Sequence, residues 1–365
     1  MIEGLRRNDI EVIECHETLW HGIEDRVQAA SGGWIRPRFI FRIMCTYWRL
    51  LQNYRKIGDY DIMVLGYPGQ LDVCIARLLT WSRRKPLVLD TFMSIYLIAK
   101  ERGLTKKSPF TGKLIRWLEK IACIMPNRLF IDTSAYRTWF VETYNLAPNR
   151  FRIVPTGAND DIFRPIKLDR RDPGFLVIHY STYLPGTGVD VIIEAAKLLE
   201  SKPDIHFYML GEGQFKSQAI AQAKRLGLKN VTFFGWVDKE ELPLWIAKAD
   251  VCLGVFAKAE QSERTVVNKV YEAMAMGKPL ITGDSATVRD HITHGREALL
   301  VERDNPRALA KAILTLRDDP LLRNELAKRG YHLFVSRFSI ECIGSYIKQH
   351  LVEFTSGKSQ LFGEI

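Results

Sequence analysis

Residues 268–281 read Asn268-Lys-Val-Tyr-Glu272-Ala-Met-Ala-Met-Gly277-Lys-Pro-Leu-Ile281. A run of good helix formers carries Glu272 and stops at Gly277, the residue type that most readily takes the left-handed conformation of a helix C-terminus. Pro279 then leads out of the helix into apolar Leu280 and Ile281, the opening of a buried strand. A helix feeding a buried strand is half of a parallel α/β unit, and it puts Glu272 near the mouth of a parallel sheet. There the two carboxylate oxygens suit the vicinal hydroxyls of a ribose. As pattern alone, the same glutamate reads equally well as an exposed helical residue.

Outward from this stretch the alternation of short apolar runs with helical periodicity covers nearly the whole chain. Strands are expected at 10–13, 62–65, 87–89, 129–131 and 152–154 in the first half. In the second half they are expected at 175–180, 205–210, 231–234, 251–255, 279–282 and 298–301. The turn-rich segment 155–165 and the polar stretch 167–174 form the best boundary. We expect an acceptor-side unit over 1–160, a second Rossmann-like unit over 161–335, and a helix and tail over 336–365 that packs back on the first unit. Two doubly wound sheets joined there face each other across a cleft at the C-terminal ends of their strands.

With 365 residues, 47% apolar and 26% charged, the chain suits two ordinary folded domains. No run of about 18 uncharged apolar residues exists, so a spanning helix is not expected. Residues 1–9 lack the apolar core of a signal peptide. The six cysteines, at 15, 45, 74, 123, 252 and 342, show no paired spacing. They read as reduced thiols of a cytoplasmic protein. The net charge of +10 is uneven: residues 1–160 hold 24 Lys and Arg against 16 Asp and Glu, and residues 161–365 hold 28 against 26. A basic first half suits an anionic surface or substrate. No aromatic-basic recognition motif accompanies the charge, so nucleic acid is not an expected partner.

Residues 37–56 contain no acidic residue. On a helix, Arg38, Arg42, Arg49 and Lys56 fall on one side, with Ile40, Ile43, Met44, Tyr47, Leu50, Leu51 and Tyr54 opposite and Trp34, Phe39, Phe41 and Trp48 flanking. This is either a core-facing helix with a solvated basic back or a helix lying in the plane of an anionic membrane, with the protein peripheral on its inner face.

The motifs in order resemble the family 4 glycosyltransferases, retaining enzymes of the GT-B fold that use nucleotide sugars. The resemblance rests on Val154-Pro-Thr-Gly-Ala-Asn-Asp-Asp-Ile-Phe-Arg-Pro165, Gly188-Val-Asp-Val-Ile-Ile-Glu-Ala195, Leu210-Gly-Glu-Gly213, Phe234-Gly-Trp-Val237, Ala247-Lys-Ala-Asp250, Glu272 and Gly277-Lys-Pro279. It implies that Ser181, Thr182, Gly186, Thr187 and Gly188 offer a diphosphate the backbone N–H groups of a strand-to-helix turn. Gly211 and Gly213 would let backbone approach the nucleotide. Trp236 and Val237 would lie beside the base, Glu272 would hold the ribose, and Val266, Val267 and Asn268 would give amides to the phosphates.

Three features depart from the family pattern. Its E-x7-E has Arg264 in place of the first glutamate, with Glu263 one place off. The lysine usual before the glycine of the first loop of the second domain is Thr187. Arg264 or Lys269 would supply the missing positive charge. The opening strand and its glycine-rich loop have no counterpart ahead of the first helix, so either the start is truncated or the first sheet lacks one strand.

On the acceptor side Asp90 and Thr91 follow one expected strand, and Tyr67 and Gln70 follow another; a turn or capping role is the plainer reading of each. His16 follows the first expected strand and reads as structural. Asp90, Arg264 and Lys269 form the candidate catalytic set. The implied reaction transfers a sugar, with retention and without a metal or other cofactor, to an acceptor such as a lipid-linked or growing glycan in polysaccharide or glycolipid synthesis. The alternatives are a non-catalytic subunit of this fold binding nucleotide or a partner enzyme, and a nucleotide-sugar epimerase.

Overall fold

The computed structural model describes residues 1–19, 37–168, 174–184 and 186–361. Trp34 and part of the polar stretch 167–174 lie outside them. The first half contains α1 (Ile2–Arg7), α2 (Pro37–Lys56), β1 (Met63–Leu65), α3 (Val73–Ser82), β2 (Leu87–Phe92), α4 (Ile95–Glu101), α5 (Leu104–Lys107), α6 (Pro109–Ile124), β3 (Arg128–Ile131), α7 (Ser134–Tyr144) and β4 (Phe151–Ile153). The four strands pair in parallel in the order β1-β2-β3-β4. Because each strand follows its neighbour in sequence, right-handed crossovers put α3, α6 and α7 on the same face. Val73 and Ala76 of α3, Ala122 and Cys123 of α6, and Tyr136 and Phe140 of α7 do share one core with Leu87 and Leu129. Local signals set the helix starts: Ser94, Ser108 and Thr133 each accept the N–H three residues on, at α4, α6 and α7. Glu119, buried on α6, ties these helices together by accepting from Ile95 N, Ser94 Oγ and Tyr144 OH.

The second half contains β5 (Phe175–Tyr180), α8 (Val189–Leu198), β6 (Ile205–Leu210), α9 (Lys216–Arg225), β7 (Val231–Phe233), α10 (Leu242–Lys248), β8 (Val251–Leu253), α11 (Asn268–Ala275), β9 (Leu280–Gly283), α12 (Ala286–Arg289), β10 (Leu299–Val301), α13 (Pro306–Asp318), α14 (Pro320–Arg337) and α15 (Ile340–Leu361). Its six parallel strands run β10-β9-β8-β5-β6-β7, with a core on each face. All six expected strands appear, and Gly277 takes φ +60 behind α11 as a left-handed C-cap residue. The last helix, α15, returns to the first half. It packs on α1 so closely that a Cβ on Gly344 would meet the Gly4 carbonyl oxygen at 1.9 Å. Lys348 Nζ donates to Asn8 O at 2.7 Å across the same contact.

Two expectations fail. Residues 10–13 form no strand; Ile10 and Val12 pack against the core under α1, but a cavity of about 780 Å3 lies among residues 10–16, β1 and the inner side of α2. Among the described residues no strand pairs with this segment, so its alternating pattern builds no ladder. In α2 the sides are drawn differently from the periodicity. Ile40, Phe41, Met44 and Trp48 are exposed, Phe39 is buried, and Arg42 is half-buried against the Phe39 ring at 5.0 Å. Only Tyr47, Leu50, Leu51 and Tyr54 of the expected apolar side face the interior cavity. The helix has apolar residues all round, so periodicity alone could not say which arc turns inward. No described helix is long and apolar enough to cross a membrane.

Candidate active site in the cleft

From β5 the chain runs outward through β6 and β7, then crosses back to build β8, β9 and β10 on the other side. A crevice therefore opens between the C-terminal ends of β5 and β8, where parallel sheets bind ligands. The turn after β5 carries Ser181 and Thr182 and reaches α8 through Gly186, Thr187 and Gly188. Gly188 has φ +75, and a Cβ there would lie 2.5 Å from Ala257 N in the segment leaving β8. Only glycine lets the start of α8, with its unpaired N–H groups, close on the crevice. Gly211, at φ +116 after β6, presses on the same turn: its Cβ would meet Ser181 O at 1.9 Å. Two aromatic residues hold left-handed conformations beside the crevice, Tyr183 and, on the tip of β2, Phe92, both at φ 44. Such residues cost on the order of 1–3 kcal/mol each, so the rest of the fold holds both tips in place.

The crevice is a cleft of about 380 Å3 shared by the two halves. Tyr67, Met93, Ile98, Glu101 and Arg102 form the first-half wall; Ser181, Thr182, Gly186, Thr187, Val267 and Lys269 are among those opposite. Lys269 stands in the first turn of α11. Its Nζ is shielded from solvent and has no hydrogen-bond partner among the described residues. Burial pushes the ammonium down to about 7, against a smaller opposing pull from Glu272. One turn on, Glu272 Oε2 accepts from Tyr180 OH at 2.9 Å. Burial raises the Glu272 carboxyl, while Tyr180 and Lys269 draw it back. The group is half-buried and bonded, not an exposed helical carboxylate.

The segment between β8 and α11 is clasped by the first half. Lys100 Nζ meets Glu260 Oε2 at 2.6 Å, Gln261 N donates to Glu101 Oε1 at 3.1 Å, and Thr133 Oγ1 donates to Arg264 O at 2.6 Å. Deeper in, Thr265 Oγ1 donates to Asp132 Oδ2 at 2.7 Å. Burial pushes Asp132 up to about 7, and its Oδ1 has no hydrogen-bond partner among the described residues.

Of the residues singled out from the sequence, Ser181, Thr182, Gly186, Thr187, Val267 and Lys269 come together in the cleft, with Tyr67 facing them. Gly188, Gly211 and Gly213 stand directly behind them, holding the backbones close. Val266 is buried in a core, Val237 packs on its edge, and Asn268 is exposed at the start of α11. Trp236 is exposed, its Nε1 donating to Asp238 Oδ1 at 3.1 Å. Arg264 does not line the cleft: its guanidinium donates to Glu260 O and faces Glu260 Oε1 at 3.7 Å, on its own loop. Asp90 is not there either; it shares the side of β2 that carries Val88, where burial pushes it up to about 6 and Phe92 N donates to it. Adjacent strand residues point to opposite faces, and at position 90 the alternation turns the carboxyl away from the cleft wall. Thr91 and Gln70 are buried, with Thr91 Oγ1 donating to Phe130 O at 2.6 Å and Gln70 Nε2 to Thr91 O at 3.3 Å. His16 is exposed and lines the other cavity. Glu101, Arg102 and Gln261 were not foreseen, since they gain meaning only when two remote segments meet.

Residues 175–319 match the family described as Glycosyl transferases group 1. The lipopolysaccharide core biosynthesis glycosyltransferase LpsE of Rhizobium meliloti is 28% identical over 178 residues, 48% of this chain and 49% of that protein. The phosphatidyl-myo-inositol mannosyltransferase of Mycobacterium leprae is 26% identical over 294 residues, covering 80% and 72%. The chain spans about half the length of the first curated relatives it matches. Among solved structures, Anabaena HepE in complex with UDP superposes with a TM-score of 0.67 at 18% identity, covering 84% of this chain and 81% of that one. The two sheets are those of the GT-B fold, and the second half, over residues 175–319, is similar to the group 1 glycosyl transferases.

Proposed function

We propose that this chain is a nucleotide-sugar-dependent glycosyltransferase that acts with retention. One observation carries the reading: a shielded ammonium without a hydrogen-bond partner, Lys269, stands in the cleft beside the start of α8 and one turn from Glu272. A buried cation without a partner is costly unless an anion completes the site. The helix start supplies N–H groups to a diphosphate, Lys269 supplies the charge that Thr187 lacks, and Glu272 on Tyr180 presents an oxygen to the ribose. Stabilising the departing diphosphate with these groups is the electrostatic part of the chemistry. HepE was crystallised with UDP, so UDP is the first nucleotide to test.

Calorimetry with UDP is the direct experiment. Glu272→Ala is expected to weaken binding roughly tenfold or more, the cost of a charge-assisted bond to a hydroxyl. It also strands Tyr180 OH, so the thermal midpoint should fall modestly. Unchanged UDP affinity in a folded variant would show that the ribose lies elsewhere. Turnover, assayed as nucleotide release with and without acceptor, should survive excess EDTA; dependence on Mg2+ or Mn2+ would contradict the metal-independent reading.

The acceptor we read as lipid-linked or a growing glycan, met at an anionic membrane surface on the cytoplasmic side. The names of the lipopolysaccharide-core and phosphatidylinositol relatives support a lipid-borne acceptor. A second reading, a nucleotide-binding subunit without turnover, is favoured by Arg264, which spends its charge on Glu260. UDP binding without sugar release from any nucleotide sugar would decide for it.

A further inference from the structure

The outer face of the first sheet's helices is unusually apolar. On α6, Phe110, Leu114, Trp117 and Ile124 form one exposed stripe, with Phe110 76% accessible, while Gly112, Ala122 and Cys123 fill the buried side. On α3, Leu78 and Trp81 are exposed in the same way. These two helices lie on the same face of the sheet and share its core, so their outer stripes face the same direction. At the far edge α2 joins α3 through Tyr47 OH on Asp72 and Arg83 over the Tyr54 ring at 4.5 Å. On α2 itself Ile40, Phe41, Met44 and Trp48 are exposed as well. A patch of this extent on one face marks a docking surface.

Charge says what docks. Residues 71–125 hold eleven Lys and Arg against four Asp and Glu. None of those four acids is exposed, whereas Lys106, Lys107, Lys113 and Lys120 all are, and they flank the aromatic stripe of α6. Protein interfaces are depleted in lysine, whereas tryptophan and phenylalanine among lysines suit the headgroup zone of an anionic bilayer. The patch also begins at the cleft. Glu101 and Arg102, which line its first-half wall, pass directly into α5 and α6.

We propose that the outer face of α3 and α6, with α2 beside it, seats this protein on an anionic bilayer and brings the first-half wall of the cleft to the headgroups. The inference deepens the glycosyl-transfer reading by naming the surface at which a lipid-borne acceptor is met. Its surface chemistry stands without that reading.

The test is co-sedimentation with vesicles of phosphatidylcholine alone or mixed with phosphatidylglycerol, at low and high salt. The protein should bind the anionic vesicles, more weakly in salt, and the neutral ones poorly. Phe110→Ser with Trp117→Ser should cut partitioning by at least about tenfold, since two large rings leave the apolar zone. Lys113→Glu with Lys120→Glu should remove the preference for anionic lipid. Lys224→Glu, exposed on α9 of the second half, should change nothing. All four side chains lie outside the core, so UDP affinity should be unaltered; loss of UDP binding in the wild type would instead strike the glycosyl-transfer reading. Equal binding to both vesicle types, or full binding by the Phe110 and Trp117 variant, would overturn the proposal. So would a concentration-dependent dimer, without vesicle binding, that the same variant dissolves.

Discussion

Lys269→Met should lose nucleotide affinity and gain stability at the same time. The Nζ is shielded and has no hydrogen-bond partner among the described residues, so an unliganded protein carries a buried ammonium offset by Glu272 and by the Tyr180 ring at 5.8 Å. A methionine of similar size fills the space without that cost and should add about 2 kcal/mol at neutral pH. The same change removes the cation from the proposed diphosphate site and should weaken UDP binding about 100-fold, or about 3 kcal/mol. Few substitutions move these two quantities in opposite directions. A variant that binds UDP normally, or that loses both stability and binding, would refute the role assigned to this lysine.

The pH dependence follows from the same group. In the free protein Lys269 titrates near 7, well below the 10.5 of an unfolded lysine. Below pH 7 both states are protonated and burial costs its full amount. Between about 7 and 10.5 the unfolded chain holds more protons, so this group makes the wild type more stable as pH rises. The methionine variant should lack that rise, and its advantage should be largest at or below pH 7. Bound diphosphate favours the ammonium, so above pH 7 UDP binding should take up a proton and weaken by up to about tenfold per pH unit. Calorimetry in buffers of different ionisation heat measures the proton directly, and urea melts across pH measure the stability. A costly buried cation kept at a cleft is the pattern expected where stability yields to function.

What the sequence disclosed depended on how local each signal was. The break at Gly277 and Pro279 is written in consecutive residues, and it placed β9 and α11 correctly because left-handed and proline backbones answer to their own identity. The same break put Glu272 near the mouth of the sheet, whereas Lys269 was one of two candidates for a missing charge, and only the packing sets it in the cleft lining one turn from Glu272. Arg264 was assigned by spacing alone, and spacing does not choose a rotamer; its guanidinium takes Glu260, four residues earlier, as its partner. Residues 10–13 have strand-like alternation, but a strand exists only when another backbone lies beside it. The faces of α2 and α6 were hidden for a third reason. A helix with apolar residues on two arcs offers periodicity no way to rank them, and only the packing of Cys123 and Ala122 under α6 shows that Phe110 and Trp117 face outward.

Gly211→Ala should destabilise the second half severely and abolish donor binding, although it adds a single carbon. The new Cβ would lie 1.9 Å from Ser181 O and 3.0 Å from Ser181 C. Neither backbone is free to yield. Ser181 N donates to Leu210 O at 3.0 Å and Gly211 N donates to Gly235 O at 3.0 Å, so the tips of β5 and β6 are pinned to each other and to the segment after β7. The φ of +116 adds a second penalty, because alanine avoids that region. Together these should cost on the order of 3 kcal/mol, and any relief must push Ser181 and Thr182 into the space a diphosphate would fill. Gly227→Ala separates the two effects. Gly227 also has positive φ, at +71, but nothing lies within 4 Å of its Cβ position. Its substitution should cost only about 1 kcal/mol and leave UDP binding intact. Urea midpoints and UDP calorimetry on both variants would compare them. If the two lose stability equally and both still bind UDP, the close approach of β6 to the turn after β5 is not what shapes this site.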